Sequence, residues 1–273
     1  MTPMTKLSPA ALLCVLGAIL CSSPHLRARP SLVTGIAHIA FRVRNLESER
    51  HFFRALGFEE AFVLSRNGQP YEVFVKINDR QFIELYPASA TSGPPGWMHV
   101  CYESDDLHAL YTLFTARGLQ LSPVVQAGAG NLLTVFHDPD GRVVEFTQYM
   151  PGSRHSNDRG QHLGASRIST ELVGIVMPTN NIDATRRLDT ATLGFQPSPG
   201  TPENRLRLSS ITEQWIALEQ SSADTSPAFF FRVPSASRAA TQLRQHGLKV
   251  TRHGKFASIE DPEGNTFVFA ADQ

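Results

Sequence analysis

Residues 36–43 read IAHIAFRV, a short apolar run that is interrupted by His38. A run of this length and composition is typical of a buried β-strand. The next segment, residues 45–53, carries Leu46, Phe52 and Phe53 on the inner side of a predicted helix, and Gly57 follows where such a helix would end. A strand, a helix, a glycine and then another apolar residue follow one another in this segment. This order decides the fold, because it recurs along the chain.

Three further copies of the same order follow. Residues 98–102 (MHVCY), 172–177 (LVGIVM) and 228–233 (AFFFRV) each precede a predicted helix that ends at a glycine, namely Gly118, Gly194 and Gly247. Self-similarity of this kind indicates a repeated supersecondary unit.

Each copy continues into more strands. In the first, residues 71–77 and 81–86 flank a hairpin-like turn. In the second and fourth, the turns at 138–141 (DPDG) and 261–264 (DPEG) place proline and glycine where tight turns need them. The sequence therefore predicts a βαβββ unit used four times and an α+β fold. We place two domains at residues 32–150 and 170–273, joined by a polar linker over 151–169.

Paired βαβββ units with a DPDG turn before the last strand resemble the vicinal oxygen chelate superfamily, which includes glyoxalase I, bleomycin resistance proteins and extradiol dioxygenases. The resemblance covers nearly all of the chain after residue 32. It implies two glyoxalase/bleomycin-resistance/dioxygenase-type domains, each with an open, cup-shaped mixed sheet. It also implies one divalent metal inside a cup, held by residues of the first and last strands of the units.

Four residues match the ligand positions of that family: His38, Glu84, His99 and Glu145. Each lies between apolar neighbours in a predicted strand, so each side chain points away from the face that its neighbours occupy. Two imidazoles and two carboxylates suit Zn²⁺, Ni²⁺, Fe²⁺ or Mn²⁺. The alternative is that all four are solvent-facing residues of half-exposed strands.

The second domain departs from the ligand pattern. The equivalent positions are Gly174, Ala217, either Ala228 or Phe229, and Val268. Side chains of these types cannot hold a metal in the same way. We therefore predict a degenerate second domain without a metal, with a structural or substrate-shaping role.

The resemblance leaves three functions open. In a glyoxalase-I-like lyase or isomerase, Glu145 or Glu84 would act as the catalytic base. In an extradiol dioxygenase, His38, His99 and Glu145 would hold Fe²⁺, although the family's additional pocket histidine and tyrosine are not found in the sequence. A protein of the bleomycin-resistance type would bind a small molecule without turnover.

Composition limits the partners. The formal net charge is zero, from 25 basic and 25 acidic residues, so a small-molecule substrate is expected and a nucleic-acid partner is not. Residues 10–20 form an apolar run after Lys6, which predicts that residues 1–30 are a signal peptide or an N-terminal anchor. We expect an exported protein, periplasmic or secreted, without a membrane span after signal removal. A lipid anchor on Cys21 is the alternative to full release.

Overall fold

Two eight-stranded mixed sheets make up the protein in a computed structural model that describes residues 32–89, 91–202, 204–221 and 225–271. The elements of the first sheet are β1 (Gly35–Val43), α1 (Leu46–Ala55), β2 (Glu59–Arg66), β3 (Gln69–Lys76), β4 (Phe82–Pro87), β5 (Gly96–Glu103), α2 (Leu107–Ala116), β6 (Val125–Gln126), β7 (Leu132–His137) and β8 (Val143–Gln148). Its strand order is β2-β3-β4-β1-β5-β8-β7-β6.

The second sheet repeats this topology. A short helix α3 (Arg154–Asn157) lies between the sheets, and the remaining elements are β9 (Leu172–Thr179), α4 (Ile182–Arg187), a π-helical turn (Leu188–Thr192), β10 (Gln196–Pro197), β11 (Arg205–Arg207), β12 (Trp215–Gln220), β13 (Ala228–Val233), α5 (Ala236–Gln245), β14 (Thr251–His253), β15 (Phe256–Glu260) and β16 (Thr266–Ala271). The strand order is β10-β11-β12-β9-β13-β16-β15-β14. Four βαβββ units are therefore present, and the predicted α+β fold is confirmed.

Local sequence explains where the elements begin and end. The side chain of Asn45 caps α1 by accepting a hydrogen bond from the backbone N–H of Ser48 at 3.1 Å. Gly57 follows the helix with a φ of 78°, a conformation that glycine adopts without steric cost. In the DPDG turn, the carboxylate of Asp138 accepts from the backbone N–H groups of Asp140 and Arg142, both at 2.9 Å, and so starts β8.

The centre of the first sheet is β1, which pairs in parallel with β4 and antiparallel with β5. Ala40 lies opposite both Glu84 and His99, while His38 lies opposite Cys101, which in turn lies opposite Glu145. All four predicted ligands therefore project from one face of the sheet, which we call the inner face of the first sheet.

The opposite face packs into a hydrophobic core that both sheets share. The ring of Phe41 lies 5.2 Å from that of Phe229, and Phe53 lies 5.6 Å from Phe267. The side-chain amide of Gln81 bridges the sheets by bonding the carbonyl and the N–H of Leu172, at 2.9 and 3.0 Å. Because side chains alternate along a strand, burial of this face makes the neighbouring side chains, including the four predicted ligands, project from the inner face.

The segment predicted as a linker connects the two sheets and also packs against the first. Lys76 is fully buried, and its ammonium donates to the carboxylate and to the carbonyl of Asp158, both at 2.7 Å. Asp79 completes the ion cluster at 2.8 Å. The backbone N–H of Ile168 bonds the carbonyl of Leu56 at 2.9 Å. Residues 151–169 are thus docked along their length.

The N-terminal residues 1–30, with the predicted signal peptide and Cys21, lie outside the described residues, so export and the lipid anchor stay predictions. No helix in the described part of the chain is long and apolar enough to span a membrane.

We expect Asp158→Ala to lower the free energy of unfolding in urea by about 3 kcal/mol, because it leaves the buried ammonium of Lys76 without its main partner. It should also speed tryptic cleavage after Arg154 and Arg159. As a control, Asp183→Ala removes an exposed ion pair to Arg186 and should change the free energy of unfolding by less than about 1 kcal/mol. Equal effects of the two variants would contradict the docked arrangement of residues 151–169.

Candidate metal centre

Three side-chain atoms converge on the inner face of the first sheet. The Nε2 atoms of His38 and His99 lie 3.2 Å apart, and each lies 3.4 Å from Oε2 of Glu145. His38 comes from β1, His99 from β5 and Glu145 from β8, three strands that are adjacent in the sheet. Both histidines are 5% exposed, so water competes little for their ring nitrogens.

The spacing fits a divalent metal. An ion with bonds of about 2.1 Å and bond angles of roughly 90 to 110° holds its ligand atoms about 3.0 to 3.4 Å apart. The three measured separations fall within or at the edge of this range. Among the described residues, this is the one group of His, Cys, Asp or Glu side chains with the geometry of a metal site.

Burial keeps both rings in the form that binds a metal. Desolvation lowers the pKa of His38 to about 3. It also lowers the pKa of His99 to about 4, against the opposing effect of Glu145. Burial raises the pKa of Glu145, and the nearby His99 partly offsets this. At neutral pH the imidazoles are neutral and retain a lone pair for a cation.

Glu84 lies beside the three converging atoms rather than among them. Its Oε1 is 3.1 Å from Nδ1 of His38, the ring nitrogen on the far side from the cluster. The N–H alignment is poor for a hydrogen bond, so Nδ1 is a buried polar atom without a hydrogen-bond partner in the described structure. A carboxylate at this position is the usual neighbour of a metal-ligating histidine. The four-ligand set therefore stays a prediction, while three of its members converge.

A hydrogen-bonded chain leads away from Glu84. The Tyr86 hydroxyl lies 2.8 Å from Oε2 of Glu84 and 2.6 Å from Oε1 of Glu72. Burial raises the pKa of Glu84 well above its ordinary value, and the charges of Glu72 and Glu145 raise it further. Burial likewise raises the pKa of Glu72. The sequence interpretation missed Glu72, which lies on β3 next to Val73, the residue paired with Leu85 of β4, and no local sequence pattern indicates this pairing of strands.

Comparison with known proteins agrees with this geometry. Residues 35–146 match the sequence model of the Glyoxalase/Bleomycin resistance protein/Dioxygenase superfamily. The first domain belongs to the vicinal oxygen chelate superfamily. No protein with a curated description matches the chain in a sequence search.

Solved structures share the fold over both domains. A Mn(II)-bound glyoxalase from Novosphingobium aromaticivorans aligns with a TM-score of 0.68 and 19% identity, over 88% of this chain and 83% of its own. The 2,3-dioxygenase LapB from Pseudomonas sp. KL28 aligns with a TM-score of 0.66 and 20% identity, over 89% of this chain and 94% of its own. An extradiol ring-cleaving dioxygenase from B. fuscum aligns with a TM-score of 0.65 and 11% identity, over 92% and 75% of the two chains.

The second sheet carries no ligand-type side chain at the positions equivalent to the four predicted ligands. Gly174 on β9 takes the place of His38, and it pairs with Trp215 and Phe230. A Cβ atom on Gly174 would lie 2.1 Å from Cε2 of Trp215, so the indole fills the space where a ligand side chain would start. The register also settles the position equivalent to His99 as Ala228.

Sequence patterns indicated no role for His155. This residue lies in α3, and its ring packs against the inner face of the first sheet. Its ring lies 4.6 Å from that of Phe82, the residue paired with His38, and stacks 5.0 Å from that of Tyr149. The amide of Asn131 donates to Nδ1 at 2.8 Å if the ring carries its proton on Nε2, and Nε2 has no partner among the described residues. Burial, with a smaller contribution from the neighbouring His38, lowers the pKa of His155 to about 3.

The depressed pKa of His155 predicts a pH dependence of stability. The folded ring stays neutral down to about pH 3, whereas the unfolded chain takes up a proton below pH 6.5. Stability is therefore lost as the pH falls from about 6.5 toward 3, and the part due to His155 is about 2 kcal/mol between pH 7 and pH 5.

We expect the loss of unfolding free energy between pH 7 and pH 5 to be about 2 kcal/mol smaller in His155→Gln than in the wild type. Urea unfolding at both pH values measures the difference, in which contributions of unchanged groups cancel. The exposed His108 supplies the control, because His108→Gln should follow the wild type. Parallel pH profiles for wild type and His155→Gln would show that His155 titrates normally.

Proposed function

We propose that this protein is a metal-dependent enzyme that acts on a small molecule with two neighbouring oxygen atoms, by glyoxalase-I-like lyase or isomerase chemistry. The observation that carries the proposal is the convergence of His38, His99 and Glu145 beside a pair of carboxyl groups, Glu84 and Glu72, that are joined through the Tyr86 hydroxyl. The fold of the similar solved structures supports it, since these are a glyoxalase, a 2,3-dioxygenase and an extradiol ring-cleaving dioxygenase.

Three protein ligands would leave coordination positions for two substrate oxygens. A divalent ion bound there would act as a Lewis acid that makes a neighbouring C–H of the substrate acidic. The chain's own residues then have to orient the substrate and move a proton. His38 and His99 lie in a buried wall that excludes water from the side of the sheet.

Glu84 is the residue we assign to proton transfer, with Tyr86 and Glu72 as its relay. Tyr86 has one hydroxyl proton but contacts both carboxyl groups, so its second contact needs a proton from one of them. At least one carboxyl group is therefore held protonated near neutral pH, in line with the raised pKa of each. With the shared proton on Glu72, Glu84 would be the ionised partner that accepts the substrate proton, and the half-buried Glu72 would release its own proton to solvent. Glu145, the other candidate base, has a ligand role in this arrangement.

Metal analysis of variants tests the ligand assignment. After reconstitution, the wild type should hold about one equivalent of divalent metal, and His99→Ala and Glu145→Ala should hold none, because each removes one of three ligands. Glu84→Gln should keep the stoichiometry and weaken metal binding by about 10- to 100-fold, the usual effect of losing a residue that orients a ligand. The exposed His51→Ala serves as the control.

The outcomes separate the alternatives. Complete loss of metal in Glu84→Gln would support the four-ligand set instead. A wild type without metal after reconstitution would leave the bleomycin-resistance type of function, binding without turnover. Unchanged metal content in every variant would contradict the site itself.

A second candidate function is extradiol-type Fe²⁺ dioxygenase activity. Two histidines and one carboxylate form the facial triad of non-haem iron oxygenases. His155 beside Tyr149 also supplies an imidazole and a phenol inside the cup, which the sequence alone did not place there.

Two assays distinguish the reactions. We expect protein loaded with Mn²⁺, Zn²⁺ or Ni²⁺ to exchange the C–H of an α-hydroxyketone with deuterium from solvent, and Glu84→Gln to slow that exchange at least 100-fold. We expect the Fe²⁺-loaded protein to consume no oxygen with catechol. Oxygen uptake that depends on catechol, together with no deuterium exchange, would favour the dioxygenase.

A further inference from the structure

The inner face of the second sheet, where the metal ligands are missing, surrounds a cavity of about 830 Å³. This volume lies in the usual range for small-molecule sites. We infer that the cavity is a metal-free binding site for a small aromatic carboxylate. The inference goes beyond the proposed function, which involves the first sheet only.

Aromatic rings form one wall of the cavity. The indole of Trp215 lies over Gly174, and the ring of Phe230 lies 5.2 Å from it. Phe256 stands perpendicular to Phe230 at 6.0 Å. A flat apolar group placed here would contact ring faces and edges, which is a favourable arrangement for another aromatic ring.

Two arginines from β11 line the cavity next to these rings. Leu206 is fully buried in the core, so strand alternation turns Arg205 and Arg207 toward the cavity. They pair across the sheet with Ala217 and Trp215. The Arg205 guanidinium lies 4.0 Å from the centre of the Trp215 ring, so a cation–π interaction with the indole positions it.

These two charges lack a carboxylate partner among the described residues. Neither arginine has an ion pair there, and the Nε atom of each is buried without a hydrogen-bond partner. Burial also lowers the pKa of Arg205.

The other charged groups of the cavity do not supply the missing partner. Arg232 is held by Glu171 at 3.0 Å and by Glu213 at 2.8 Å. Glu219 and Lys255 also line the cavity, and both are exposed. Four basic and two acidic side chains therefore line it, and the excess positive charge lies at Arg205 and Arg207 beside the aromatic wall.

The ligand class follows from this combination. The planar guanidinium group binds a carboxylate through two parallel hydrogen bonds, and such charge-assisted bonds are strong where water is partly excluded. Inorganic phosphate would satisfy the arginines but leave the aromatic wall bare. A neutral aromatic compound would fill the wall but leave the arginines unpaired. A benzoate-sized carboxylate satisfies both.

Trp215 can report binding. The chain has two tryptophans, so Trp97→Phe leaves Trp215 as the single tryptophan, whose fluorescence can be excited selectively. Fluorescence titration of this full-length variant with benzoate, in the presence of EDTA to keep metal out of the first site, should show saturable 1:1 binding. Benzamide, which has the same shape and no charge, should bind at least about tenfold more weakly.

Variants test the arginines. In the Trp97→Phe background, Arg205→Met and Arg207→Met should each weaken benzoate binding about tenfold or more, while Arg205→Lys should lie between them and the parent. Arg252→Met, at an exposed residue of β14, is the matched control and should bind like the parent. Circular dichroism of each variant would establish that it is folded.

Binding that is equal for benzoate and benzamide, or unchanged in both arginine variants, would overturn the inference. Inorganic phosphate that competes with the same affinity as benzoate would also overturn it, because the aromatic wall would then contribute nothing. The EDTA condition keeps this test independent of the metal site, so its failure and the failure of the proposed enzyme function are distinguishable.

Discussion

The rest of the first domain depends on one constraint, the close approach of two buried, neutral imidazoles. The Nε2 atoms of His38 and His99 lie 3.2 Å apart. Two nitrogen lone pairs and a carboxylate oxygen repel one another unless a cation or a proton lies between them. They are held together because β1 lies between β4 and β5, and because the opposite face of β1 is buried in the shared core. A slip of one residue in β1 would turn His38 into that core and dismantle the site.

The two sheets use the same frame for different chemistry. In the first, polar side chains from β1, β4, β5 and β8 project from the inner face. In the second, glycine, alanine and valine take the equivalent places, and the indole of Trp215 fills the space above Gly174. The space at the position equivalent to His38 is therefore filled by the indole. The cavity beside the indole instead has aromatic and guanidinium walls.

Much of this arrangement could be predicted from the sequence, because it rests on local patterns. Apolar runs, helix-ending glycines and the two Asp-Pro turns predicted four βαβββ units. The family resemblance then singled out His38, Glu84, His99 and Glu145, and all four project from one face of the sheet. The contacts that were not predicted are all long-range. Glu72 meets Glu84 through Tyr86, and His155 reaches the cup from a polar segment without periodicity. The docking of Asp158 on Lys76 joins residues 82 positions apart, which no spacing in the sequence indicates.

Anomalous diffraction from a crystal of the metal-reconstituted protein, recorded at the absorption edge of the added metal, tests the central claim most directly. The account predicts one strong peak per chain, within about 2.3 Å of Nε2 of His38, Nε2 of His99 and a carboxylate oxygen of Glu145, and no peak on the inner face of the second sheet. A peak at the second sheet, or no peak between the two histidines of a fully reconstituted protein, would contradict it.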